Sequence, residues 1–202
     1  MKQASRQIVL VTIVAGLACF MACRSSNNTG GFEILGPADE TDNAGKIILE
    51  ANVDLKKIKV LYEDNENKRQ QLKTALETNN TVEVKKISDS VVLIINEGFD
   101  FGKAAVDKIQ EAQGMNINDD YREYLSMKES ALMKQMAAFE EYRQAARTLR
   151  DNYDPKNTQN RDKVKVDFDT RSDKYQKLME EARSFSNQAN ELYKDTLKKQ
   201  KQ

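Results

Sequence analysis

Apolar side chains recur at alternating steps of three and four residues from about residue 44 onward. In an α-helix this spacing places them on one face, and a mean repeat of 3.5 residues is typical of helices packed against one another. Four segments carry the repeat, at about 44–78, 82–113, 118–152 and 155–199. The pattern therefore predicts an all-α protein whose helices pack through their apolar faces.

Short polar connectors separate these four segments. Asn80 precedes the second segment, and Gly114 and Asn118 flank the connector before the third. Asp154 precedes the fourth, and Pro155 is its first residue. Asn and Asp cap helix starts, Gly ends helices, and Pro suits a first helical position. Because short connectors make neighbouring helices antiparallel, we predict a long antiparallel four-helix bundle over 44–202, coiled-coil-like, with helices about 50 Å long.

The first 22 residues form a different kind of segment. Lys2 and Arg6 precede an apolar run that extends from Ile8 to Met21. A basic start followed by a short apolar run is typical of a signal peptide. The run has roughly 14 residues, fewer than the ~20 that cross a bilayer as a helix. A cleaved signal peptide is therefore favoured over a permanent transmembrane helix.

The four residues at 20–23, Phe-Met-Ala-Cys, resemble a bacterial lipobox, in which the cysteine receives a lipid after cleavage in front of it. Cys19 is the rival acceptor, but Gly16 would then occupy the position where lipoboxes have a large aliphatic residue. The resemblance implies a signal peptide over 1–22 and a lipid on Cys23. The polar stretch that follows is suited to a flexible tether, which we place at 23–43.

The same resemblance implies a location outside the cytoplasm, with the protein anchored to a membrane through its lipid. Arg24 follows Cys23. In bacteria with two membranes, this resembles lipoproteins that are passed to the outer membrane, where the protein would face the periplasm or the cell surface. A secreted form without lipid and an uncleaved anchor are the alternatives.

The composition argues against several classes of function. Lys and Arg together number 32, as do Asp and Glu, so there is no excess positive charge to attract nucleic acid. The sequence has no His, which removes imidazole as a metal ligand and as a general base. Adjacent acids such as Glu140 and Glu141 point about 100° apart on a helix and do not form an acid–base pair. We therefore expect no catalytic residues, no metal and no cofactor, and predict that the protein is not an enzyme.

Several polar, aromatic and small residues mark the predicted helix interfaces. An unpaired buried charge is costly, so each polar side chain must be paired, reach the rim, or line a wet cavity. Each Gly in a helix interior costs about 1 kcal/mol relative to Ala, so two glycines one turn apart need a reason. The set forms either a layer that fixes helix register or a small ligand site, and consists of Asn65, Arg69, Gly98, Phe101, Gly102, Lys128, Gln135, Arg171 and Tyr175.

Two functions fit these features. The first is a non-enzymatic, lipid-anchored scaffold or adaptor of the cell envelope that acts through contacts with a protein partner. The second is a ligand-binding bundle, a sensor or carrier, with a pocket midway along the helices near Gly98, Phe101, Gln135 and Tyr175.

Overall fold

The computed structural model describes residues 40–199, with side chains as far as residue 195. Within that range it contains four α-helices and no strand, which confirms the predicted all-α four-helix fold. The predicted signal peptide, the lipid acceptor Cys23 and most of the tether lie outside the described residues. The helices are α1 (Thr41–Glu77), α2 (Thr81–Gln113), α3 (Asp119–Asn152) and α4 (Thr158–Lys199).

Two of the three connectors are built as their sequences predict. The Asn80 side chain accepts a hydrogen bond from the Glu83 N–H at 3.2 Å and caps α2. The Asn118 side chain accepts one from the Tyr121 N–H at 2.8 Å and caps α3, while Gly114 follows the last residue of α2. Asn79 adopts a positive φ of 52°, a conformation that Asn tolerates better than most residues.

The third connector differs from its prediction. Pro155 does not start α4, which begins three residues later at Thr158. Asp154 instead accepts a hydrogen bond from the Lys156 N–H at 2.9 Å and closes a turn. Asn157 accepts one from the Asn160 N–H at 3.0 Å, so Asn157 provides the capping side chain that we had predicted at Asp154.

The start of α1 is held against the connector between α2 and α3. The Glu40 N–H donates to the Asn116 carbonyl at 2.8 Å, and the Asn116 N–H donates to the Glu40 carboxylate at 2.8 Å. These bonds let α1 begin at Thr41, three residues before the predicted start and inside the predicted tether. The helical region therefore starts earlier than the apolar repeat indicates.

Each helix packs antiparallel on the next one in sequence: α1 on α2, α2 on α3, and α3 on α4. In the part of the chain that the structure describes, α1 and α4 do not pack closely along their backbones. Because the direction alternates, the start of α1 and the end of α4 lie at the same end of the molecule. The Lys128–Asn190 hydrogen bond, which joins the start of α3 to the last third of α4, reflects this arrangement.

The buried apolar side chains form two clusters along the helices. The first core cluster combines the end of α1, the start of α2, the end of α3 and the start of α4, and comprises Leu72, Ala75, Val84, Ile87, Val91, Val92, Ile95, Tyr142, Ala146, Leu149, Tyr153 and Val164. The second combines the start of α1, the end of α2 and the start of α3, and comprises Ala44, Ala51, Ile58, Ala105, Val106, Ile109, Ala112, Ile117, Leu125 and Leu132. Phe139 packs against both clusters.

None of the helices within residues 40–199 has the combination of length and hydropathy that crossing a bilayer requires.

Candidate functional site

Aromatic side chains from three helices meet where the two core clusters adjoin. Tyr142 of α3 and Tyr175 of α4 have ring centroids 5.8 Å apart, and Tyr62 of α1 lies 6.2 Å from Phe139 of α3. These four residues are called the tyrosine layer below. Aromatic pairs at such distances and tilted angles attract one another beyond the area they bury. The layer therefore joins α1, α3 and α4 at the middle of the bundle.

An ion pair on α1 borders the tyrosine layer. The Arg69 guanidinium donates to the Glu66 carboxylate at 2.6 Å and lies 6.0 Å from the centroid of the Tyr142 ring. A guanidinium over an aromatic face gains a cation–π attraction. Arg69 therefore has two partners, the Glu66 carboxylate and the Tyr142 ring.

The phenols of this layer resist ionisation. Burial raises the pKa of Tyr142 and of Tyr175 well above the ordinary value of 10, and it also raises the pKa of Tyr62. The charged phenolate is disfavoured because the surrounding side chains solvate it poorly. At neutral pH these hydroxyls are protonated, so they can donate hydrogen bonds but cannot act as bases.

Two of the predicted interface residues, Asn65 and Gln135, have buried polar side chains. Each lies about one helical turn from a member of the tyrosine layer, Tyr62 and Phe139 respectively. The Asn65 Oδ1 has no hydrogen-bond partner among the described residues. A buried acceptor without a donor costs free energy that an apolar side chain of the same size would not cost. Asn65 therefore lowers the stability of the fold or serves a purpose other than stability.

The two glycines of α2 allow neighbouring side chains to approach. A Cβ at Gly102 would lie 2.9 Å from the Sδ of Met136, whereas a Cβ at Gly98 would meet only Leu61 at 3.9 Å. The space beside Gly102 is thus filled by α3. The Phe101 ring has the Lys57 ammonium of α1 4.5 Å from its centroid. These contacts are those of packed helices.

Lys128 and Arg171 link α3 to α4. Arg171 donates to Glu141 at 3.1 Å and to Asp167 at 3.0 Å. Lys128 donates to Asn190 at 3.1 Å, and it lies fourteen positions before Tyr142 on α3, about 21 Å along the helix axis. The nine predicted residues therefore do not form one site. Asn65, Arg69 and Tyr175 lie at or beside the tyrosine layer, and Gln135 and Arg171 lie one helical turn from members of it.

One buried charged group was missed by the prediction. The Asp54 side chain of α1 is 8% exposed, accepts from Lys108 of α2 at 2.7 Å and accepts from Lys57 at 3.2 Å. The hydrogen bond from Lys108 holds the pKa of Asp54 below its ordinary value. Its spacing in the sequence could have identified it, because Asp54 lies one turn from both Ala51 and Ile58 and therefore shares their buried face.

Within residues 40–195, no three His, Cys, Asp or Glu side chains are grouped so that they could hold a metal ion. Neither a protein-family model nor a curated protein nor a solved structure matches the chain. The candidate site is therefore defined by its own contacts: the tyrosine layer, the Glu66–Arg69 pair and Asn65.

Proposed function

We propose that the protein is a non-enzymatic, lipid-anchored component of the bacterial cell envelope that acts as a helical scaffold or adaptor through protein–protein contacts. One observation carries this proposal: several charged groups along the helix interfaces are bound to partners on the neighbouring helix. Arg171 is bound to Glu141, Lys128 to Asn190, and Asp54 to Lys108, each across two helices. Such pairs hold helices together, so these charged groups are not available to a ligand. Recognition of a partner would then fall to the surface.

The anchor part of the proposal comes from the sequence. The lipobox-like residues 20–23 support lipidation of Cys23 and a location outside the cytoplasm, with the membrane as one partner and an envelope protein as the other. Balanced charge supports the absence of a nucleic-acid partner.

Mass spectrometry tests the anchor directly. The full-length chain is expressed in a bacterium, and the membrane fraction is analysed beside the variants Cys23→Ala and Cys19→Ala. We expect the wild type and Cys19→Ala to lose residues 1–22 and to carry a lipid on Cys23, and we expect Cys23→Ala to leave the membrane fraction. A wild-type product without lipid would contradict the anchor.

Crosslinking in native envelopes tests the scaffold role. The lipidated chain should crosslink to a small, reproducible set of envelope proteins, and the set should be depleted when Cys23→Ala removes the anchor. An unrelated lipidated helical protein expressed at the same level is the control. Capture of the same proteins by both baits would refute the scaffold role.

One observation favours a second candidate function, ligand binding at the tyrosine layer. The unpartnered Asn65 Oδ1 is an acceptor that the donor of a small polar ligand could satisfy. Replacing Asn65 by Leu should raise the free energy of unfolding by about 1 kcal/mol, because no buried acceptor is then left without a donor. Urea unfolding measures the change.

The same variant separates the two functions. Cell extract that holds a ligand for this layer should raise the melting temperature of the wild type and leave that of Asn65→Leu unchanged. If extract shifts neither protein, the tyrosine layer is a structural element, as the scaffold proposal expects.

A further inference from the structure

The outer face of α1 carries exposed apolar side chains. Leu49, Val53 and Val60 are 64%, 52% and 65% exposed, and they lie on the opposite side of the helix from the buried Ala51 and Ile58. Exposed apolar residues that are scattered singly need no explanation, but these three lie on one line of one helix, with Lys56 between Val53 and Val60.

These three residues belong to a regular repeat. The repeat has steps of three, four, three, four and three residues and consists of Lys46, Leu49, Val53, Lys56, Val60 and Glu63, called the outer α1 stripe below. This spacing is that of the seam of a two-helix coiled coil, here with three apolar and three charged positions. Helix α1 therefore has two seams: one packs inside the protein, and the outer α1 stripe faces outward.

We propose that the outer α1 stripe binds the same stripe of a second copy of this chain, with the two α1 helices antiparallel. In a twofold-symmetric pair, residue i contacts residue j and residue j contacts residue i. A twofold axis between residues 54 and 55 places Leu49 opposite Val60 and Val53 opposite Lys56. Each contact occurs twice, so Leu49 and Val60 cover each other at both ends of the contact, and Val53 packs along the apolar stem of Lys56.

Charge selects the antiparallel arrangement. The same axis places Lys46 opposite Glu63, and it places Glu50 beside Lys57 at the edge of the contact. In a parallel pair, Lys46, Lys56 and Glu63 would each face its own copy, and like charges in contact are unfavourable. The Glu63 side chain is 64% exposed although it lies 3.8 Å from Lys59, so it is accessible to a second chain.

The expected dimer is weak. The stripe spans 18 residues, about 27 Å of helix, so the contact falls below the roughly 1,200 Å² that a stable interface usually buries. Two copies held on one membrane have a higher effective concentration, which favours a weak contact. The inference deepens the proposed function by naming a partner, and it rests on the part of that proposal which holds that the protein acts through its surface.

Zero-length crosslinking tests the register. Equal amounts of ¹⁴N- and ¹⁵N-labelled full-length chain are reconstituted together into lipid vesicles, so that both lie on one membrane, and a carbodiimide couples neighbouring amines and carboxylates. Mass spectrometry identifies crosslinks that contain both isotopes, which join two different chains. We expect Lys46 joined to Glu63 between chains. A mixed-isotope crosslink pattern without this pair would overturn the antiparallel arrangement.

A matched pair of substitutions tests the surface. Val60 and Val166 are both 65% exposed, on α1 and α4 respectively. We expect Val60→Lys to weaken dimerisation at least about tenfold in analytical ultracentrifugation, a loss of ~1.4 kcal/mol, and Val166→Lys to leave it unchanged. Circular dichroism checks that both variants fold. Equal effects of the two variants would overturn the proposed surface.

Charge reversal provides a second, independent check. Lys46→Glu places a carboxylate opposite the Glu63 carboxylate of the other copy and should reduce the mixed-isotope crosslinking yield severalfold. Adding Glu63→Lys to the same chain restores opposite charges and should restore dimerisation. Failure of this rescue would overturn the proposed register.

The dimer and the scaffold role can fail separately. If Val60→Lys stays lipidated and captures the same envelope proteins while the wild type shows no dimer, the self-association inference is wrong and the scaffold proposal stands. If the wild type dimerises but captures no envelope protein, the reverse holds.

Discussion

Tyr142 shows how the surroundings of a single side chain decide what it can do. Its ring packs against Tyr175 and under the Arg69 guanidinium, and burial raises the pKa of its hydroxyl above 10. The unfolded chain ionises at an ordinary pKa near 10, whereas the folded protein holds the proton to higher pH. The stability that the neutral phenol contributes is therefore fully present below pH 10 and is lost as the pH rises through the folded-state pKa.

This difference predicts alkaline sensitivity. The free energy of unfolding of the wild type should fall from pH 9 to pH 11, and Tyr142→Phe should fall less steeply because one buried phenol is absent. Urea unfolding followed by circular dichroism at each pH measures the slopes. Tyr193→Phe is the control, since that ring is half exposed and should leave the slope at its wild-type value. A wild-type slope for Tyr142→Phe would contradict the prediction.

At the residue scale, the sequence predicted which side chains were unusual but not how they group. The spacing of Asn65, Arg69 and Tyr175 assigns each to the inner face of its helix. It does not assign the axial register of one helix against the next, which depends on connectors such as Glu40–Asn116 and on side-chain packing. For this reason Lys128 was grouped with Tyr175 in the prediction, although the structure places it about 20 Å away along the helix axis.

Helix α2 contains two glycines whose replacement by alanine can be compared directly. Gly98 and Gly102 lie one turn apart, and Ala gains about 1 kcal/mol over Gly in a helix interior. A Cβ at Gly98 would make an ordinary contact with Leu61 at 3.9 Å, whereas a Cβ at Gly102 would lie 2.9 Å from the Met136 Sδ. Met136 is flexible and can move, but it would give up part of its packing.

We therefore expect alanine to stabilise the fold more at position 98 than at position 102. Gly98→Ala should raise the free energy of unfolding by roughly 0.5–1 kcal/mol, because it restricts the unfolded chain and meets no close atom. Gly102→Ala should gain less than Gly98→Ala, or nothing, because Met136 must shift. Urea unfolding of the two variants and the wild type provides the comparison. A larger gain at Gly102 would contradict the packing described here.

At the element scale, the periodic pattern predicted the number, type and order of the helices. It missed two starts for identifiable reasons. Helix α1 begins at Thr41 because Glu40 is bonded to Asn116, a contact that no local signal shows. Helix α4 begins at Thr158 because Asn157 outcompeted Asp154 as the cap, and both residues have suitable side chains.

For the molecule as a whole, Phe139 occupies the position that joins the two core clusters. Its ring packs against both, and it contacts Tyr62 of α1 across the interior. Truncating such a ring removes apolar contacts and leaves a cavity. Phe139→Ala should therefore lower the free energy of unfolding by about 2–4 kcal/mol.

Native-state hydrogen exchange resolves how that loss is distributed. In the wild type we expect backbone amides of both core clusters to open with similar free energies, as one unit. In Phe139→Ala we expect the amides of the second core cluster to exchange at lower free energy than those of the first, because none of the apolar residues that make up the second cluster comes from α4. An equal loss in both clusters would show that Phe139 is not the link.

The whole-molecule arrangement was predictable only in part. The apolar repeat and the short connectors predict four antiparallel helices, and the structure confirms them. The weak packing between α1 and α4 was not predictable, because a repeat identifies the buried face of a helix but not the neighbour that covers it. The exposed stripe of Leu49, Val53 and Val60 was likewise hidden behind the stronger inner repeat on the same helix.

The shared end for the start of α1 and the finish of α4 has a practical consequence. The order of the helices along the chain can be changed without changing which helices are neighbours in space. A circularly permuted gene that opens at the exposed Lys156 and joins α4 to α1 through a flexible linker would encode the same four helices with the same neighbours. It would place new termini at the opposite end, where a fluorophore or an affinity tag could be attached far from the start of α1.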